Sequence, residues 1–123
     1  MATIASTTLT EGERRTLELL IELLQRELGS NLLAVWLFGS RARGEVADEE
    51  SDVDLLVLTS DGSDQDQRRV IDLVFEAADA AGARPTYFSA HVRNPAWVEQ
   101  RRAIDDFFIR DVDRDKVVLF GSG

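Results

Sequence analysis

The chain has 123 residues, enough for one domain with a continuous core, and 44% of them are hydrophobic. With no cysteine, a disulfide framework, a cysteine-ligated zinc site and a thiol nucleophile are excluded, and a reducing, cytoplasmic setting is the expectation. Its 23 acidic and 14 basic side chains leave a net charge of −9, which disfavours an extended nucleic-acid surface or an anionic lipid surface as a partner.

The first ten residues are small and polar and read as a flexible lead-in, without the basic and apolar regions of a secretory leader. Thr10 and Glu13 then have the spacing of a capping box, and Leu17, Leu20, Ile21, Leu24 and Leu28 recur at helical intervals up to a stop at Gly29. Leu32 to Phe38 is the longest apolar run. Its seven residues fall far short of the ~20 needed to span a membrane and predict a central strand buried on both faces, with Trp36 in the core.

Asp52 to Leu58 predicts a second such strand, charged only at its start. Asp61 to Gln67 reads as a polar turn region, and Val70, Ile71, Val74, Phe75, Ala78 and Ala81 mark an amphipathic helix closed by Gly82. Arg84 to Val92 predicts a third strand. Asn94-Pro95 is a helix start, with Trp97, Ile104 and Phe108 along one face of that helix, and Val117 to Phe120 predicts a final edge strand. The order implies a single α/β (α+β) domain over residues 1–123, with helices packed on a small mixed sheet. Short edge strands make a homo-oligomer conceivable.

The chemistry concentrates in Gly39-Ser40-Arg41-Ala42-Arg43-Gly44 and, after eleven residues intervening from Ser40, in Asp52-Val53-Asp54. A glycine directly after a buried strand permits a sharp turn that presents N–H groups and the Ser40 hydroxyl to an anion. Asp52 and Asp54, two apart on a strand, project from one face roughly 6 to 7 Å apart, a geometry suited to a divalent cation such as magnesium. Gly39 and Gly44 have the glycine spacing of a P-loop, but Glu45-Val46 stands where that loop requires Lys and then Ser or Thr.

These two segments, with Ser51 and Leu55, resemble the signature of the minimal nucleotidyltransferases, small members of the DNA polymerase β-like nucleotidyltransferase superfamily. The similarity extends loosely to Asp106-Phe-Phe-Ile-Arg-Asp and Val117-Val-Leu-Phe-Gly121. The resemblance implies transfer of AMP from ATP to an acceptor hydroxyl, with Gly39 and Ser40 gripping the nucleoside triphosphate and Asp52 and Asp54 holding Mg2+. It also implies a small helical toxin of the HEPN type as the protein partner that is neutralised. Arg41 and Arg43 are candidate phosphate contacts, or else surface arginines pairing with Asp48, Glu49 or Glu50.

Two departures stand out. The interval from Ser40 to Asp52 is one residue longer than the family's usual spacing. More seriously, the third strand carries no acid, whereas active members generally place there a third carboxylate that completes the metal site and can help deprotonate the acceptor. Asp72 is the nearest alternative, although its surroundings read as helix. The single histidine, His91, reads as structural or exposed, and Tyr87 and Ser89 are as readily sheet packing as site residues. Three possibilities follow: a transferase acting on a protein hydroxyl, a binding antitoxin that masks its partner without catalysis, and an α/β domain with no retained site.

Overall fold

The computed structural model describes residues 7–45 and 52–123. Ser51, Asp48, Glu49 and Glu50, with the loop that would absorb the extra residue, lie outside them. Helix α1 spans Glu11–Leu28 and opens on the expected capping box: Glu13 N–H donates to Thr10 Oγ1 at 3.1 Å and Thr10 N–H to Glu13 Oε1 at 2.8 Å. Strand β1 occupies Leu32–Phe38, as the apolar run predicts, and Gly39–Ala42 forms the short helix α2. Strand β2 is Val53–Thr59, helix α3 Asp64–Ala81, strand β3 Phe88–Arg93, helix α4 Pro95–Ala103, helix α5 Phe107–Asp115 and strand β4 Val117–Gly121.

The four strands form one mixed sheet in the order β3-β2-β1-β4. β1 is antiparallel to both β2 and β4, while β2 and β3 run parallel because α3 carries the chain between them as a crossover. On one face, Leu17, Leu20 and Leu24 of α1 and Val70 and Val74 of α3 pack against Val35, Leu37, Leu55 and Val57. The other face is covered more thinly: Ala34, Trp36, Leu56 and Leu58 meet Val98 of α4 and Ile109 and Val112 of α5. Trp36 is core, as expected, and its indole N–H donates to Ser122 O at 2.7 Å.

Four local expectations change. Residues 7–10 are not a loose lead-in: Leu9 is buried and Thr8 N–H donates to Arg41 O at 3.2 Å. Helix α3 begins earlier than its apolar period, because Ser63 caps it by accepting from Asp66 N–H at 3.1 Å. Pro85–Tyr87 is a 3-10 turn, so the third strand starts only at Phe88. The last helix is two helices. Asp105 takes a left-handed φ of 54°, Asp106 caps α5 by accepting from Phe108 N–H at 2.9 Å, and Ile104 is left 66% exposed instead of facing the core.

Candidate functional site

The antiparallel register pairs Phe38, the last residue of β1, with Asp54 near the start of β2. Gly39 therefore turns directly over the Asp54 carboxylate. Its φ of +80° favours glycine, and a Cβ added there would overlap Asp54 Oδ2 and lie 3.4 Å from Asp54 Cγ. The two halves of the motif are thus joined in space by a contact that only a residue without a side chain allows. At the start of α2, the N–H groups of Gly39 and Ser40 have no carbonyl a turn earlier in that helix to bond. Ser40 itself is half-buried, and its carbonyl accepts from Glu45 N–H at 3.1 Å.

Asp52 is exposed just ahead of β2, and Asp54 is half-buried. Burial, together with the negative charge of Asp52, raises the Asp54 carboxyl above its ordinary range, and the positive charge of Arg43 partly offsets this. Among the described residues no group of three His, Cys, Asp or Glu side chains could hold a metal ion.

The third-strand position beside Asp54 is Ser89, its register partner across the parallel β2–β3 ladder, and two residues on His91 pairs with Leu56. Asp72 lies exposed on α3, and that helix packs on the opposite face of the sheet. Tyr87 has Arg84 5.8 Å over its ring and lines a hollow that Glu13 and Arg41 also line.

The two arginines separate. Arg43 is partly exposed, bonds Glu45 Oε1 through Nε at 3.1 Å and sits 3.7 Å from Asp115. Arg41 is buried. Its Nη1 and Nη2 donate to the two Glu13 carboxylate oxygens at 2.6 and 3.1 Å, and Nη1 also donates to Thr8 O at 3.2 Å. Arg41 therefore ties α2 to the start of α1, a buried place that neither the phosphate-contact nor the surface-arginine reading anticipates. Burial alone would raise the Glu13 carboxyl; the bonds from Arg41 and from Thr10 N–H outweigh it and hold that carboxyl below its ordinary range.

Nothing in the sequence signalled that pair, nor a second device: Gln67 of α3 donates from Nε2 to Ala90 O at 2.8 Å and accepts from Val92 N–H at 2.7 Å. One side chain thus satisfies two backbone groups of edge strand β3 and holds Ser89 and His91 beside β2.

A small mixed sheet with a glycine turn closed over one of two neighbouring carboxylates at the β1 and β2 ends defines the class of fold that the motif implied. Residues 17–108 match the model of the nucleotidyltransferase domain, and the chain belongs to that family. Its fold is similar to that in the crystal structure of a toxin–antitoxin with AMP-PNP, at 22% identity and a TM-score of 0.53, covering 84% of this chain and 72% of that one. It is also similar to that of a mutant of the toxin–antitoxin MntA-HpeT, at 24% identity and a TM-score of 0.50, covering 83% and 69%. No curated protein matches the sequence. Among the described residues, no helix is long and apolar enough to cross a membrane.

Proposed function

We propose that this nucleotidyltransferase domain transfers AMP from ATP to a hydroxyl of a protein partner, and that the partner is a small toxin of the HEPN type neutralised by the modification. The observation that carries the proposal is the close approach of Gly39 to the Asp54 carboxylate, which brings the glycine turn and the acidic strand to one point. Family membership supports the reaction class. The partner is supported by the toxin–antitoxin assemblies in which similar folds are found.

The residues present fit magnesium. Two carboxylates, one of them made costly by burial and by its neighbour's charge, want a cation, and magnesium is commonly held by one or two carboxylates with phosphate and water completing its shell. Asp52 and Asp54 would hold it, and when bound it supplies charge neutralisation for the triphosphate and its leaving group. Gly39 and Ser40 would orient the triphosphate through backbone N–H groups and the Ser40 hydroxyl. Arg43, close enough to act on the Asp54 charge, would contact a phosphate.

Calorimetric titration with ATP, with and without Mg2+, tests the donor site. Binding should require Mg2+ and vanish in a folded Asp52→Ala, Asp54→Ala double variant, and binding that survives in that variant would sink the proposal. Mass spectrometry of the modified partner should then show the gain of AMP.

A second reading, a stoichiometric antitoxin that neutralises by binding alone, is favoured by one observation: β3 offers Ser89 where an acid would complete the site. It predicts that the same double variant still neutralises the partner.

A further inference from the structure

Past Asp54, on the same face of the sheet, the thin covering by α4 and α5 leaves a cavity of about 280 Å3, lined by Leu56, His91, Trp97, Arg101, Asp106 and Phe108 among others. His91 is exposed at it. It reaches this place because β3 runs parallel to β2 in a register that sets Ser89 against Asp54 and His91 one side-chain repeat further along the same face. The lateral spacing of strands and the two-residue repeat put His91 and Asp54 about 8 Å apart along the diagonal, backbone to backbone.

Two contacts bear on the His91 ring. Ser89 Oγ lies 3.3 Å from Nε2. The ring of Phe38, the residue before Gly39, stands 6.5 Å away between centroids. Phe38 in turn meets Phe108 edge-on at 5.4 Å, and Phe108 meets Trp97 at 6.1 Å. The sole histidine of the chain is thus held at an open hollow beside the candidate donor site, on the strand that lacks an acid.

Resting on the nucleotidyltransferase reading, we infer that His91 is the proton acceptor for the incoming hydroxyl, with Ser89 as the residue that orients its ring and the adjoining cavity as the seat of the acceptor group. The hydroxyl oxygen attacks the α-phosphorus and a new oxygen–phosphorus bond forms. The bond from that phosphorus to the oxygen bridging to the β-phosphate breaks, pyrophosphate leaves with the electron pair, and the hydroxyl proton passes to the unprotonated imidazole nitrogen. Partial burial of the ring and the positive charge of Arg93 hold the imidazole below its ordinary range, which favours its unprotonated form. The charged groups around it are Arg93 on its own strand, Arg101 from α4, Asp106 at the head of α5 and Asp54 on β2.

The test compares the wild-type protein with His91→Gln and His91→Ala. Mg-ATP binding is followed by calorimetry, and AMP transfer by pyrophosphate release with the N-acetyl amides of serine, threonine and tyrosine as hydroxyl probes. Both variants should bind Mg-ATP within about twofold of wild type while transfer falls by about 10²- to 10⁴-fold. Added imidazole should restore part of the rate to His91→Ala, which a merely structural role would not allow. The wild-type rate should rise with pH through the titration of His91, and the variants should lose that limb. Intact Mg-ATP binding with transfer indifferent to His91, or with no transfer to any probe, would overturn the role of His91 alone. Absence of Mg-ATP binding by the wild-type protein would instead overturn the donor site on which the role depends.

Discussion

The two faces of the sheet are built for different ends. The face under α1 and α3 is closed by two 18-residue helices, with Leu17, Leu20 and Leu24 of the first and Val70 and Val74 of the second buried. The face under α4 and α5 has two 9-residue helices, with Phe107 at the start of α5 left 77% exposed and the cavity open beside His91. Arg41 and Arg43, two residues apart, mark the division. One is spent on joining α2 to α1 beneath the closed face, and the other stands partly exposed within electrostatic reach of Asp54. If Arg43 contacts phosphate as proposed, stability and chemistry should be separable by mutation, side by side in one short segment.

The largest effect should come from the Arg41–Glu13 pair. Removing one partner leaves the other charge buried without compensation, so Arg41→Ala or Glu13→Ala should cost about 3 to 5 kcal/mol of unfolding free energy. Arg41→Lys should recover only part, since an ammonium cannot match both carboxylate oxygens. Urea denaturation measures it. A loss below about 1 kcal/mol would show Arg41 to be no different from a surface arginine.

What separates these two arginines is also what separated the legible from the illegible. The capping box at Thr10, the bounds of β1 and the closure of α3 at Gly82 are local patterns, and the apolar period or the cap residue states each of them directly. The turn at the motif glycine and the strand that follows Asp52 were legible for the same reason: residue type and spacing state each of them locally. Arg41's burial depends on where the start of α1 lies in space, 28 residues away in sequence, and no local pattern encodes that. The division between α4 and α5 was missed because Trp97, Ile104 and Phe108 suit one helical face, although Asp106 before an apolar Phe-Phe-Ile run was a usable cap signal. The place of His91 follows from the parallel register of β3, which α3 and Gln67 set together.

Gln67→Ala should give the next largest effect. It leaves Ala90 O and Val92 N–H without their partner on an edge strand, at about 1 to 3 kcal/mol. If β3 carries His91 as inferred, this variant should weaken AMP transfer more than Mg-ATP binding, so the ratio of the two readouts sharpens the contrast between donor site and acceptor side. Arg43→Ala should sit lower still on the stability scale. Its pair with Glu45 is exposed, and such pairs contribute at most about 1 kcal/mol. Mg-ATP affinity, measured by calorimetry, should fall all the same, the reverse of the Arg41 pattern.

The smallest and most diagnostic effect lies in the pH dependence of two carboxylates. Stability rises with pH wherever the unfolded chain binds more protons than the folded one. Glu13 has its folded pKa lowered, so its stabilisation is present above the unfolded value and disappears as pH falls through the folded value. Asp54 is raised, so the folded protein holds the proton longer, and stability declines as pH climbs from the unfolded value through the folded one. Asp54→Asn should remove that decline and make the protein slightly more stable than wild type at neutral pH, while Glu13→Gln should flatten the opposite slope. Unfolding free energies between about pH 3 and pH 7 distinguish the two. Mg2+ should stabilise the wild-type protein and leave Asp54→Asn unmoved, because a cation bound only to the folded state adds stability through its site alone. If Asp54→Asn were destabilising at neutral pH, the carboxylate would be part of the scaffold, and the cost at the β2 end could no longer be read as strain that a cation relieves.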